Sequence, residues 1–148
     1  NPGVAGTISQ SQGAVGYIGY EYAFAQKIPM AKVMNSAGSF IEPNLESFSA
    51  AAASEMPADT RVMITNSSNP AAYPITSFTW IILYKDLAYG NHTREAAEAT
   101  VNTVKWLTGE EAQAIATSVH YASLPQNAAL QAATLLQGIT YQGETLLK

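Results

Sequence analysis

Residues 73–86 read YPITSFTWIILYKD and include the longest apolar run of the chain. Within them, residues 75–84 are rich in β-branched and aromatic side chains, which are favoured in strands. The run is far too short to span a bilayer. It follows residues 66–70, NSSNP, whose side chains favour turns. This stretch therefore predicts the strongest strand of the protein, entered from a loop.

On the N-terminal side of this strand, the pattern alternates between short helices and short strands. The pair Asn1-Pro2 is typical of a helix start, and the first helix is expected to end with Gly13 as its glycine cap. Residues 14–18, AVGYI, predict a short buried strand. Further short elements are expected as helical turns over residues 20–26, a weak strand over 32–34 and an alanine-rich helix over 44–54.

On the C-terminal side, the pattern is mostly helical. A helix is predicted from residue 93 onward because Ala97, Val101 and Val104 fall on one helical face. Residues 108–111, TGEE, have the form of a capping box, which predicts the start of the next helix.

A last helix is expected to open at Leu124-Pro125 and to end at Gly138, and residues 139–148 carry no prediction. Three or four strands thus accompany six helices. This ratio predicts an α/β fold with a thin sheet, which suits half of a larger protein better than a free-standing domain.

Charge excludes one class of partner. The 148 residues carry a formal net charge of −4, and the seven lysines and arginines are scattered rather than clustered, so nucleic acid is not expected as a partner. The absence of cysteine excludes disulfides and thiolate metal sites. An acidic chain can still bind an anion, because backbone N–H groups and helix N-termini hold anions without net positive charge.

No arrangement of side chains predicts catalysis. His92 and His120 each lack a second histidine or a glutamate at metal-ligand spacing. The sequence contains no nucleophile elbow and neither of the glycine-rich motifs that bind nucleotide phosphates. We therefore predict that the protein is not an enzyme and has no catalytic residue, metal site or cofactor. On this chemistry alone, its function stays open.

Four blocks of sequence, in order along the chain, narrow the range of possible functions. They are NPGV with GAVGYI and YEYA within residues 1–23, NLESF at residues 44–48, YPITSF running into WIILYKD at residues 73–86, and YASLP at residues 121–125. In content and order they resemble the phosphate-binding proteins of bacterial ABC transporters. The blocks cover nearly the whole chain, which is similar to the C-terminal half of such a protein.

The resemblance implies a type II periplasmic-binding-protein fold, in which two α/β lobes joined by crossing strands enclose phosphate. On this pattern, residues 1–72 form the C-terminal portion of lobe 2. Residues 73–148 form the hinge strand and the C-terminal portion of lobe 1. The residues implied to line the hinge or cleft are Gly16, Tyr17, Tyr20, Pro74, Ile75, Thr76 and Ser77.

The same resemblance implies partners that the residues themselves do not reveal. In the family, the phosphate contacts lie upstream of where this chain begins, so no phosphate-binding residue is expected here. The implied partners are inorganic phosphate, an N-terminal companion segment of the same protein that carries those contacts, and an ABC permease in the membrane. The implied location is the periplasm, or the outer side of the membrane through a lipid anchor.

Three alternatives remain open at this point. The protein could bind another oxyanion, such as sulfate, molybdate or tungstate, since only the missing contacts would decide between them. It could be a phosphatase-like enzyme built on the same fold. It could also be a free-standing interaction module, which a sharp two-state unfolding transition of the isolated chain would favour.

Overall fold

The computed structural model describes residues 1–147, and over this range the chain combines helices with small sheets. The predicted mixture of α and β structure is therefore confirmed at this level. The helices are α1 Pro2–Gln10, α2 Tyr20–Ala25, α3 Leu45–Ala52, α4 Arg94–Leu107, α5 Glu110–Ser118 and α6 Gln126–Gln137; the strands are β1 Val33–Met34, β2 Phe40–Ile41, β3 Thr140–Tyr141 and β4 Glu144–Thr145.

The predicted helices are present, and local caps explain where they start. Pro2 opens α1 directly after Asn1, as expected. At α3, Asn44 Oδ1 accepts the N–H of Ser47 at 2.8 Å, while Ser47 Oγ accepts the N–H of Asn44 at 3.1 Å. This reciprocal pair satisfies two N–H groups that the first helical turn leaves free. At α4, Thr93 Oγ1 accepts the N–H of Ala96 at 3.2 Å.

Two predicted helix boundaries are wrong. The first helix ends at Gln10, so Gly13, with φ of +78°, forms the turn that follows and does not cap the helix. The capping box over residues 108–111 does not form, since Gly109 is the N-cap of α5. The hydroxyl of Thr108 instead donates to the carbonyl of Val104, in the helix before it, at 3.1 Å. The Thr108 hydroxyl is therefore bound to α4 and does not cap α5.

The two most apolar predicted strands are also absent. Residues 14–18 and 75–84 form no strand, because no segment within residues 1–147 pairs with their backbones. The expectation that residues 14–18 are buried is wrong as well: Val15 is 97% exposed and Tyr17 is 91% exposed. Residues 76–84 nevertheless run without a turn, bend or helix. We call residues 76–84 the unpaired segment.

The core consists of two separate clusters. Core 1 contains Ala51, Ala52, Ile64 and Ala72, and Phe78 lies against it. It joins α3 to the chain that leads into the unpaired segment.

Core 2 contains Leu87, Ala97, Val101 and Leu136, with Val104 packed against it, so the helical face predicted for α4 is confirmed. Leu83 also lies against core 2. The unpaired segment therefore runs from one core to the other.

A C-terminal hairpin completes core 2, and the sequence did not predict it. Strands β3 and β4 pair antiparallel. Thr140 binds the segment before α4 through its own N–H, which donates to Lys85 O at 2.8 Å, and through its carbonyl, which accepts the N–H of Leu87 at 2.8 Å. Across residues 1–147, no helix combines the length and apolar character needed to cross a bilayer.

Candidate functional site

A large cleft lies between the two cores and is the candidate site. It encloses about 930 Å³ and is lined mostly by apolar side chains. One wall is the stretch from Ile75 to Ile81, and the opposite wall is formed by α5, α6 and the loop between them. Tyr20 and Phe48 close one side. The volume lies within the range of small-molecule pockets, roughly 300–1,000 Å³.

Four of the seven residues expected at the hinge or cleft lie on its walls. They are Tyr20, Ile75, Thr76 and Ser77. Pro74 is buried beside them, and its carbonyl accepts the N–H of Asn66 at 2.8 Å. The structure thus brings this group together, while its role in hinge motion or ligand binding stays a prediction.

The other two residues of that set, Gly16 and Tyr17, lie away from the cleft. Gly16 packs on α1, where an added Cβ would stand 2.9 Å from Ile8 Cδ1 and 3.1 Å from Val4 Cγ1. A side chain at position 16 would therefore displace these two apolar groups. Tyr17 is almost fully exposed.

An aromatic cluster of Tyr20, Phe24, Phe48, Tyr73 and His120 lies beside the cleft, and three of its members, Tyr20, Phe48 and His120, line it. The rings of Phe24 and His120 have centroids 4.0 Å apart, and those of Tyr20 and Phe48 are 5.0 Å apart. Sequence reasoning treated His120 as an isolated residue. In the loop between α5 and α6, His120 has a φ of +70°, and no sequence pattern around it indicates this conformation.

Beside this cluster, the pKa of Tyr121 is raised, first by burial and then by the neighbouring Glu21 carboxylate. Both residues line the cleft. A carboxylate in this position disfavours an anion nearby. Lys85 also lines the cleft, so its wall carries one basic side chain beside the acidic Glu21.

Neither arginine of the chain lines the cleft, and each is paired with a carboxylate. Arg61 is bound to Asp59 at 2.7 Å. Arg94 is bound to Glu98 at 3.0 Å and to Glu144 at 2.8 Å. A dehydrated phosphate requires many aligned donors, and arginine supplies the strongest of them. Within residues 1–147, no group of three or more acidic or histidine side chains could hold a metal ion.

The geometry of the cleft does not identify its ligand, so the sequence was compared with those of known proteins. No protein-family model matches the sequence. The chain is 36% identical over 132 residues to the phosphate-binding protein PstS of Xylella fastidiosa strain 9a5c, an alignment covering 86% of this chain and 34% of that protein.

Two further relatives carry the same name. The phosphate-binding protein PstS of Pasteurella multocida is 30% identical over 151 aligned positions, covering 100% of this chain and 40% of that protein. That of Methanocaldococcus jannaschii is 26% identical over 138 positions, covering 87% of this chain and 36% of that protein. The resemblance carried by the four sequence blocks is thereby confirmed. The chain spans between about a third and two-fifths of the length of these relatives.

Proposed function

We propose, on the premise of this similarity to part of the phosphate-binding proteins, that the chain is a segment of the solute-binding component of a phosphate import system. In this role the whole protein captures inorganic phosphate and delivers it to an ABC permease. The observation that carries the proposal is similarity over 86–100% of the chain to proteins named for phosphate binding. The relatives are named as binding proteins, so the whole protein is proposed to bind phosphate rather than to catalyse a reaction.

The phosphate contacts are proposed to lie in the companion segment. Two observations on this chain support that division. Arg61 and Arg94 are not among the residues that line the cleft. The cleft wall carries one acidic side chain, Glu21, and one basic side chain, Lys85, so it supplies no excess of positive charge for phosphate. This chain then supplies scaffold and one wall of the cleft.

The division into two lobes is likewise a proposal. Residues 1–72 are assigned to lobe 2 and residues 73–148 to lobe 1 of a type II periplasmic-binding-protein fold. The two cores support this boundary, since core 1 draws on residues 51–72 and core 2 on residues 87–136. Residues 74–77 lie between them as the proposed hinge. The periplasm, or a lipid anchor outside the membrane, is the proposed location.

A chimera tests the function. This chain would replace the aligned segment of the Xylella fastidiosa relative, and the full-length product would be titrated calorimetrically with phosphate and with sulfate. We expect one-to-one phosphate binding by the chimera and none by the isolated 148-residue chain. Circular dichroism confirms that each sample is folded.

Each other outcome has a defined meaning. A folded chimera that binds neither anion would refute the proposed function. Preference for sulfate would support the alternative of another oxyanion. Phosphate binding by the isolated chain would refute the assignment of the contacts to the companion segment. Hydrolysis of a phosphomonoester by the chimera would favour a phosphatase-like enzyme.

A further inference from the structure

We infer that the ring contact between Phe24 in α2 and His120 in the loop between α5 and α6 is a latch, which stabilises the closed, phosphate-bound arrangement of the two lobe segments. The latch joins the portion of the chain assigned to lobe 2 to the portion assigned to lobe 1, so the inference rests on the proposed function. It goes beyond that function, because the similarity to phosphate-binding proteins identifies no residue that holds the two portions together.

The first observation is the position of the two rings. Their centroids are 4.0 Å apart, and the two residues lie on opposite sides of the proposed boundary at residue 72. His120 lines the cleft, and so does Tyr20, whose ring centroid is 5.7 Å from that of Phe24. A rotation about the proposed hinge at residues 74–77 that parts the two rings would therefore open the cleft at this place.

The second observation is that the contact lies outside both cores. As described within residues 1–147, neither core 1 nor core 2 includes Phe24 or His120, and Phe24 is 45% exposed. The two rings can therefore separate without creating a cavity in either core. A reversible latch requires a contact of this kind, which breaks while both cores stay folded.

The third observation is that local hydrogen bonds fix the backbone on both sides of the contact. In the loop, His120 has a φ of +70°, and the N–H of Tyr121 donates to Ala116 O at 2.9 Å. On the other side, the N–H of Ile28 donates to Ala23 O at 2.9 Å and closes the end of α2. Each ring is thus carried by an ordered element, so their contact depends on how the two portions of the chain are arranged.

A row of aromatic rings links the latch to the proposed hinge. From Phe24, the ring contacts pass to Tyr20 and then to Phe48, whose centroid is 5.0 Å from that of Tyr20. Phe48 in turn contacts Tyr73 at a centroid distance of 5.8 Å. Tyr73 directly precedes Pro74, where the proposed hinge begins. A continuous row of packed side chains can couple a change at the hinge to the latch.

Three hydrogen bonds also cross the proposed boundary, and each joins a side chain to a loop carbonyl. The acceptors are the carbonyl oxygens of Ser54, Ala58 and Thr60. These bonds are exposed, so water replaces them at little cost when the two portions separate. Separation of the two rings instead returns apolar surface to water, which is unfavourable. The ring contact therefore favours the closed arrangement more than these hydrogen bonds do.

Phosphate titration of the same full-length chimera tests the latch. Phe24→Leu and His120→Asn each remove one ring, while leucine stays apolar and asparagine tolerates a positive φ. Each variant should bind phosphate about two- to tenfold more weakly, because an aromatic pair stabilises the closed arrangement by that factor. The double variant should bind no more weakly than either single variant. Stopped-flow measurements should show faster phosphate dissociation, while the melting temperature without phosphate stays unchanged.

Two controls separate the latch from a general effect on folding. Phe24→Tyr keeps a ring at position 24 and should retain the affinity of the parent chimera. Tyr89→Leu and His92→Asn each break a ring contact, with centroids 4.4 Å apart, that lies within one portion of the chain. They should leave the affinity unchanged. An equal loss of affinity in all of these variants would refute the latch.

The outcomes separate this inference from the proposed function. A folded parent chimera that binds no phosphate refutes the function, and the latch is refuted with it. Equal phosphate affinity in the parent, Phe24→Leu and His120→Asn refutes the latch alone. The isolated chain gives a test that does not depend on folding of the chimera. In it, Phe24→Leu should shift the proton NMR signals of the His120 ring, and unchanged signals would overturn the inference.

Discussion

Asp86 holds the C-terminal hairpin in place through one carboxylate. Its oxygens accept the N–H groups of Ala88 at 2.8 Å, Gly143 at 2.9 Å and Gln142 at 3.2 Å, and the hydroxyl of Thr140 at 2.9 Å. These bonds, that from Ala88 first and that from Gly143 next, lower the pKa of Asp86 from 3.8 to about 2. Since the folded pKa is below the unfolded one, the carboxylate stabilises the fold fully above about pH 4, and this contribution is lost as the pH falls towards 2.

The variant Asp86→Asn should therefore lower the melting temperature at pH 7 and lose its difference from wild type as the pH approaches 2. It should also speed amide exchange at residues 140–145. Asp59→Asn is the matched control, because the hydrogen bonds that the Asp59 carboxylate accepts come from Arg61, two residues away. Equal melting temperatures of Asp86→Asn and wild type at pH 7 would contradict this account.

Alanine substitutions at Gly16 and Gly6 should differ in their effect on stability. An alanine Cβ at position 16 would stand 2.9 Å from Ile8 Cδ1 and 3.1 Å from Val4 Cγ1, so Gly16→Ala forces these side chains to move and should leave the protein about 1 kcal/mol less stable than Gly6→Ala does. Gly6 lies within α1 with no atom within 4 Å of an added Cβ, so Gly6→Ala should stabilise by about 0.5–1 kcal/mol. Urea unfolding measures both. The packing of Gly16 on α1 would be refuted if both variants were stabilised alike.

At the scale of the element, α3 depends on its cap and α5 does not. Asn44→Ala removes the acceptor for the N–H of Ser47 and should cost about 1 kcal/mol. Thr108→Ala, at the site where the sequence predicted a cap, should cost less than about 0.5 kcal/mol, because its hydroxyl binds back to its own helix. Equilibrium unfolding of the two variants gives the comparison. An equal loss in both would mean that Thr108 does cap α5.

The contrast between helices and strands explains what the sequence could predict. Each helix follows from neighbours along the chain, such as Asn44 with Ser47, so the pattern locates it well. A strand exists only with a partner, so β-branched residues over 75–84 predict an extended backbone without predicting its pairing. The hairpin at residues 140–145 depends on Asp86, more than fifty residues away. No local pattern could reveal such a contact.

The candidate cleft was predictable to the same limited degree. The family resemblance implies that Tyr20 lies near the cleft and that residues 74–77 form the hinge; Tyr20 and residues 75–77 line the cleft described here, while their roles stay predictions. His120 was missed, since its contact with Phe24 joins parts of the chain almost a hundred residues apart. Gly16 lies close to Ile8 of α1, and its implied place at the hinge or cleft of the whole protein stays a prediction.

At the scale of the whole molecule, three side-chain hydrogen bonds join the residues around core 1 to those around core 2, in addition to the ring contact of Phe24 with His120. Asn127 Nδ2 donates to Ser54 O at 2.8 Å, and Gln131 Nε2 donates to Ala58 O at 2.7 Å. Trp80 Nε1 donates to Thr60 O at 3.0 Å. These exposed hydrogen bonds are individually modest, at about 0.5–1.5 kcal/mol each. The cleft occupies much of the remaining space between the cores, so each core should respond to damage largely on its own.

Paired cavity substitutions test that independence and, with it, the proposed boundary at residue 72. Val101 is fully buried in core 2, and Val101→Ala should cost about 2 kcal/mol and speed exchange in α4 and α6 far more than in α3. Ile64→Ala in core 1 should cost about 2–4 kcal/mol and give the reverse pattern. Amide exchange measured for each helix distinguishes the two responses. If either variant speeds exchange equally in α3 and α4, the two cores unfold as one cooperative unit and the division into lobe segments fails.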